Sequence, residues 1–528
     1  SEYGAADRLI PRWLFLRALG LIYFSAFYSL FFQIRGLIGP DGILPAGPYL
    51  QAVARSTMAH ARFWYVPSLL WISSGSHMLM ALCWAGMIAS ILLVVNLWPR
   101  LMLVICFVCF LSFISAAQDF SSYQSDGMLL EAGFICLFFA PPGLLPGLGS
   151  NHPPSRTCLF LLQWEWLRIY FESGIAKLAS GEPQWRNFTA MDEYYQNGPL
   201  PTWIGWYAQH LPHWFHAASA GATLVMELGL IWMILLPRRV RIVLFFIVTC
   251  WEAGVISTAN YCFLNYLVLS LGILLLEDRF LARFAPRKWK EELPVLKATA
   301  AVQESAPISA RPTGTVMAFL RPHFRAFKLA TSAVMLTWVF YVTSVELLWM
   351  LVPHFPLPIT PVVMLEPFRI ANQYGLFAVM TRGRYEIEFQ GSNDGQNWTA
   401  YPFRYKPQKL NEAPGIYAPY QPRFDWNLWF ASLGTWRNNS IVPNTEVRLL
   451  ANDKDVLSLF AGNPFPQSPP KQVRAVLWQY WFTTMAERGQ TGNWWRRESL
   501  GLYAPTLELE PDGKLGVLAM PQERSPEP

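Results

Sequence analysis

Residues 13–32 read WLFLRALGLIYFSAFYSLFF, a run of twenty positions with one charge, Arg17. A helix needs about 20 apolar residues to cross a hydrocarbon core roughly 30 Å thick. The run is long enough to span, and too long for the apolar core of a cleavable signal, so it predicts a retained first span. Working outward, the same pattern predicts further spans near 76–97, 101–117, 127–147, 157–178, 214–236, 239–258, 260–277 and 327–351. The third and fourth are the weakest, because polar Gln118–Asp126 interrupts them and Pro141, Pro142 and Pro146 follow. The whole chain of 528 residues is 53% hydrophobic and only 14% charged. Soluble domains carry roughly a quarter charged residues, so the apolar excess points to lipid. A formal charge of +6 without a dense basic run gives no support to nucleic-acid binding.

The arginines predict orientation. Arg8, Arg12 and Arg17 flank the first span, Arg100 follows the second, and Arg156 precedes the fifth. Arg238, Arg239 and Arg241 lie between the sixth and seventh, and Arg279, Arg283, Arg287, Lys288 and Lys290 follow the eighth. With nine spans and a cytoplasmic N-terminus, all of these fall on one side, as positive-inside placement requires. The chain then divides into a transmembrane helical domain of about eight spans (1–290), a cytoplasmic connector (291–325), a ninth transmembrane helix (326–352), a soluble, β-rich α+β C-terminal domain outside the cytoplasm (353–512) and a disordered tail (513–528). In the soluble part, Arg384–Gln390 and Trp398–Tyr405 flank a Gly-Ser-Asn-Asp-Gly turn and read as a hairpin. Asp425–Leu433 and Asp453–Ala461 read as short helices, and Val473–Thr483 as a strand.

Ionisable groups inside spans are costly and mark candidate sites. The fifth span is the densest, with Glu165, Arg168, Glu172 and Lys177. At helical spacing the first three fall within roughly 60° of arc. That stripe reads either as a salt-bridge network that locks packing or as part of a site. Lys177 points away from it, either snorkelling to the headgroups or acting as a functional amine. Glu131, Glu227, Glu252, Asn260 and Asn265 on other spans suggest a polar cavity between helices, open toward the tail side. The loops on that side supply Asp119, Asp126, Trp185, Asp192 and Tyr195. His210, His213 and His216 are spaced unevenly around a helix, with Pro212 between two of them, and no metal site is expected. All seven cysteines precede residue 263, so the soluble part holds no disulfide, and the Cys106–Cys109 pair reads as buried packing.

Several strings then stand out in order: Gln33–Pro45, Asp126–Gly133, Gly174–Leu178 followed by Trp185 and Arg186, Met191–Tyr195, Pro199–Pro201 and Asn260–Tyr266. In the soluble part come Tyr374–Phe377, Arg423–Trp426, Asn463–Phe465 and Trp494–Arg496. The series resembles the lipase maturation factor family along nearly the whole chain. The resemblance implies a multi-pass protein of the secretory pathway; animal members sit in the endoplasmic reticulum, face the lumen with their C-terminal domain, and help secreted dimeric lipases mature. This chain lacks lumenal cysteines, which points to a bacterial member in the inner membrane with a periplasmic tail, or an endoplasmic reticulum protein if eukaryotic. The Gly174–Leu178 string also resembles, more distantly, the vitamin K-dependent γ-carboxylase and its wider group of horizontally transferred transmembrane domains. That likeness implies Lys177 as a base.

Two functions follow as expectations. The first is a maturation factor without a cofactor, whose tail offers secreted clients such as lipases an aromatic patch from Trp426, Trp429, Trp436, Trp494 and Trp495. The second is a membrane enzyme acting on a lipid, quinone or peptide, with Lys177, Glu172, Asp119 and Asp126 gathered in one pocket and Arg168, Glu165, Trp185, Asp192, Tyr195, Asn260 and Asn265 around it. A transporter is disfavoured, because no inverted repeat stands out.

Overall fold

The computed structural model describes residues 4–56, 60–293, 316–510 and 513–522, with side chains in the last long helix from residue 326 onward. Helical segments fall where the spans were expected: α1 (Leu9–Ile38), α2 (Ser76–Val94), α3 (Pro99–Ala116), α4 (Gln124–Phe139), α5 (Arg156–Ala179), α6 (His213–Leu228, continued by a tighter turn Leu230–Leu235), α7 (Arg238–Thr258), α8 (Leu264–Gly272, continued by Ile273–Leu275) and α9 (Val316–Leu351). Among the described residues, six helices are long and apolar enough to cross a membrane by themselves: α1, α2, α3, α6 with its continuation, α7 and α9. The multi-pass architecture therefore stands, but the count of about nine was imprecise. The other three fall short for separate reasons. α4 has 16 residues, α8 with its tight turn is shorter still, and α5 has the length but carries the charged stripe. These three lie among the others, where protein rather than lipid meets their polar groups.

α1 is the central post, packed along α2 and against α8. Small residues allow the approach: a Cβ on Gly86 of α2 would stand 2.5 Å from the ring of Phe27. Without a hydrophobic drive between helices in lipid, such close packing supplies much of the association. α7 is the most lipid-facing span, with only 17% of its apolar window buried.

One end of the bundle collects arginines. Arg8, Arg238 and Arg241 converge on Glu277, while Arg12 donates to the carbonyls of Leu148, Gly149 and His152, and Arg100 to that of Ala140. The opposite end carries the tail. There Gln33, at the far end of α1, donates to the Gln421 carbonyl at 2.8 Å, and Asn260 bonds the backbone of Gly415, Tyr417 and Ala418.

The tail is built on an antiparallel sheet of β1 (Arg384–Ser392), β2 (Thr399–Ala400), β3 (Gln472–Phe482), β4 (Trp495–Leu502), β5 (Thr506–Leu509) and β6 (Leu515–Ala519). Its order is β2-β1-β3-β5-β6, with β4 also paired to β3, and Ile387 opposes Leu477 across the central pair. Alternation along β1 puts Ile387 and Phe389 on the face covered by α10 (Arg423–Ser432) and α11 (Ile441–Leu450). The other face carries Arg384, Glu386 and Glu388, neutralised by one another and by Lys406 and Arg497.

The hairpin expectation places β1 correctly but overextends its partner, which pairs only at Thr399–Ala400. The helix expected over Asp453–Ala461 shortens to Lys454–Leu457. The expected disordered tail is corrected in part: Leu515–Ala519 is a strand, paired with β5 from Leu509 opposite Leu515 onward. Most of the expected connector (294–315) and residues 523–528 lie outside the described residues.

Two outcomes follow. Gly86→Leu overpacks the α1–α2 seam, which costs about 1–3 kcal/mol, and lowers the melting temperature of the detergent-solubilised protein. In the tail, burial pushes Asp425 up to about 6 against the pull of Lys406, whose backbone N–H donates to it at 3.2 Å. A raised carboxyl favours the folded state below its unfolded value of about 3.9 and loses that contribution as pH rises through the folded value. Asp425→Asn therefore flattens the decline in melting temperature across that interval, read by tryptophan fluorescence.

Candidate functional site

The charged face of α5 meets the first turns of the tail. Arg168 is fully buried and bonds Glu131 of α4; its other nitrogen donates to the Asn372 carbonyl at 2.6 Å and lies 3.7 Å from Glu172. The tail answers each acid in turn. The Tyr374 hydroxyl donates to Glu131 at 2.8 Å, the Asn372 N–H to the same carboxylate at 3.1 Å, and the Tyr374 N–H to Glu172 at 2.7 Å. Burial, reinforced by Glu131, pushes the Tyr374 phenol far above its ordinary value, so it remains a donor. Glu165 shares this face, is fully buried, and makes no hydrogen bond among the described residues.

A second tie joins the start of α4 to α10. Arg423 holds both carboxylate oxygens of Asp126 at 2.7 Å and donates to the Phe120 carbonyl at 2.7 Å. Burial works most strongly against the Arg423 charge, but the charge and hydrogen bonds of Asp126, with Tyr123 and Cys262 adding to them, together hold the pKa above the ordinary arginine value. Such two-point pairing fixes orientation as well as distance.

Lys177 is not snorkelling. It is 1% exposed, donates to both oxygens of Glu227 on α6 at 2.8 Å, and gives a third bond to the Leu376 carbonyl at 2.9 Å. It faces a cavity of about 300 Å³ bounded by α5, α6, α7, α8 and Leu376–Phe377 of the tail. Tyr170 and Asn265 donate to opposite oxygens of Glu252 in the same wall, at 2.5 and 2.6 Å, and Trp185 and Tyr195 complete it.

The expected pocket is thus divided. Lys177, Trp185, Tyr195 and Asn265 line one cavity, joined by Glu227 and Glu252. Glu172, Arg168 and Glu165 sit deeper on α5 and do not line it. Asp126 is engaged with Arg423, Asn260 with the tail backbone, and Asp192 with His213 at 3.0 Å, while Asp119 is exposed. His210 bonds the Trp206 and Thr483 carbonyls and His216 that of Leu211, so the three histidines serve separate partners. Sequence reasoning missed Asn372, Tyr374 and Arg423 as partners of the membrane charges. Their signal lay in the strings Tyr374–Phe377 and Arg423–Trp426, singled out without a role.

Comparison with known proteins agrees with this two-part build. Residues 10–283 match the model of the lipase maturation factor transmembrane domain, and residues 370–505 that of the lipase maturation factor C-terminal domain. The chain belongs to the lipase maturation factor family. It is 31% identical to lipase maturation factor 2 of Gallus gallus, over 96% of this chain and 83% of that protein. It is 31% identical to lipase maturation factor 1 of Bos taurus, over 95% and 89%, and 30% identical to the Homo sapiens protein of that name, over 95% and 88%. No solved structure matches the chain.

In this family member the Arg168 cluster bridges both domains. Arg168→Leu leaves Glu131 and Glu172 buried without their cation, a loss of about 3–5 kcal/mol. The expected result is faster proteolysis in the 352–370 region and a lower melting temperature, whereas Arg55→Leu, on an exposed helix end, changes neither.

Proposed function

We propose that this chain assists the folding or maturation of secreted proteins such as lipases, on the extracytoplasmic side, with the tail as the client-binding part. Its membership in a family named for lipase maturation supports the activity. The arginine-rich end of the bundle, opposite the tail, supports an extracytoplasmic tail through positive-inside placement. That compartment is the periplasm for a bacterial member and the endoplasmic reticulum lumen for a eukaryotic one.

The observation that carries the client reading is the sheet edge. β6 is the last strand, and Leu509, Leu515, Val517, Leu518 and Met520 around it are each about half exposed. An exposed apolar edge is a template for an added strand, the form in which an unfolded client offers itself. The tryptophans do not supply this surface. Trp426, Trp429 and Trp495 are buried, and Trp436 and Trp494 are partly so.

A second reading is chemistry on a lipid, quinone or peptide with Lys177 as base. Its support is the place of Lys177 in the cavity wall. Against it, the three hydrogen bonds given by Nζ use all three protons of an ammonium, the geometry of a structural cation. Replacing the pair together, Lys177→Met with Glu227→Gln, removes the base without stranding a charge; undiminished lipase yield from that variant ends the enzyme reading.

For the client reading, co-expression with a secreted dimeric lipase gives the test. Leu515→Lys with Val517→Lys charges the edge on exposed positions, and active lipase falls several-fold at unchanged melting temperature of the factor. Unchanged lipase yield sinks the edge-strand assignment.

A further inference from the structure

The cavity beside Lys177 has an open side that the maturation role does not use. α6 and α7 follow one another in the chain and touch through the continuation Leu230–Leu235, but over His213–Leu228 they make few direct contacts, and the cavity lies in the gap there. Cys250 and Gly254 of α7 both line the cavity and are exposed on the outer surface of the bundle, among the residues that face lipid. α7 is also the least buried of the spans, so the gap lies on the side of the bundle most open to the bilayer.

The walls narrow the choice. The amine and both carboxyls in them have partners: Lys177 has Glu227, and Glu252 has Tyr170 and Asn265. No cation is free to meet a phosphate, and two carboxyls would face a free fatty-acid head. The remaining lining is mostly apolar and aromatic, including Phe215, Trp251, Val255 and Phe377; of its hydroxyls, Ser173, Thr223, Ser257 and Thr258 donate to carbonyls of their own helices, and Ser219 adds one more. The volume, about 300 Å³, lies at the lower end of small-ligand sites, roughly 300–1,000 Å³.

We propose that this cavity binds one acyl chain of a bilayer lipid, inserted sideways between α6 and α7 from the leaflet on the tail side, with the headgroup left outside. The site is coupled to the tail. Its roof is Leu376–Phe377, held by the Lys177 bond to the Leu376 carbonyl and by Trp185, whose indole N–H donates to the Phe377 carbonyl at 2.9 Å. An inserted chain packs beneath that roof and stabilises the docked tail.

The gap can be closed by design. A Cβ on Gly254 meets nothing within 4 Å, so Gly254→Trp projects into the opening without displacing the bundle, and Ser219→Trp closes it from α6. The full chain is placed in nanodiscs of phosphatidylcholine carrying a diazirine near the end of one acyl chain, irradiated, and mapped by peptide mass. In the wild type, adducts appear on the cavity-facing residues Phe215, Trp251 and Phe377, and each tryptophan variant lowers them at least ten-fold while adducts on lipid-facing Phe246 persist. Wild-type adducts confined to outward residues such as Phe246 overturn the proposal. So does an unchanged yield at the cavity residues in either folded variant. Lipase yield is not the readout, so this test stands or falls separately from the client reading.

Discussion

Arg168 is the charge on which the arrangement of the two domains depends. A guanidinium in the middle of a helical bundle is tolerable only with partners, and α4 and α5 supply three buried acids around it, more than one cation can neutralise. The surplus is met from the tail. Backbone and side-chain donors of Asn372 and Tyr374 reach the two carboxylates that flank Arg168, and the Asn372 carbonyl takes one of its protons. The bundle is therefore electrostatically incomplete without residues 372–374. This gives docking a directional basis that apolar burial alone does not provide.

The other ties repeat the logic at the periphery. Asp126 needs Arg423, the Asn260 amide needs the 415–418 backbone, and Lys177 spends its last proton on Leu376. In each case one partner sits at the tail end of the helices and the other in an irregular stretch of the tail or on α10. The sheet docks through β1, β3 and β4, where Arg384 donates to the Gln196 and Pro199 carbonyls and Phe482 and Trp495 pack with Trp206, while β6, at the far edge, keeps its apolar residues exposed.

How much of this was legible in the sequence follows from the range of each interaction. Apolar length is local, so α1, α2, α3, α6, α7 and α9 could be placed from composition. α4, α5 and α8 were placed too, but whether such short or charged helices span unaided is a question their neighbours decide. The α5 stripe was legible as periodicity and Lys177 as an outlier, yet their partners lie about 200 positions away in the chain, at Asn372, Tyr374 and Leu376. Periodicity carries no information over such distances. The strands β4 to β6 were missed for a related reason: β4 carries three charges in a row, Arg496, Arg497 and Glu498, and β5 and β6 are short, so pairing rather than pattern defines them. The tryptophans of the tail were legible as either core or patch, and burial decides for core at Trp426, Trp429 and Trp495.

The division of the expected pocket also has a physical cause. Helical geometry sets Lys177 well around α5 from the Glu165–Arg168–Glu172 stripe, so one helix presents two polar faces to two neighbours. The stripe meets α4 and the tail, and Lys177 meets α6. Because both faces also hold the same tail segment, at Asn372–Tyr374 on one side and Leu376 on the other, α5 acts as a clamp across residues 372–376. A shift of α6 relative to α5 must strain the Lys177–Glu227 pair, and through Leu376 it bears on the tail. Events in the membrane between α6 and α7 thus have a short, hydrogen-bonded route to the domain that carries the exposed strand.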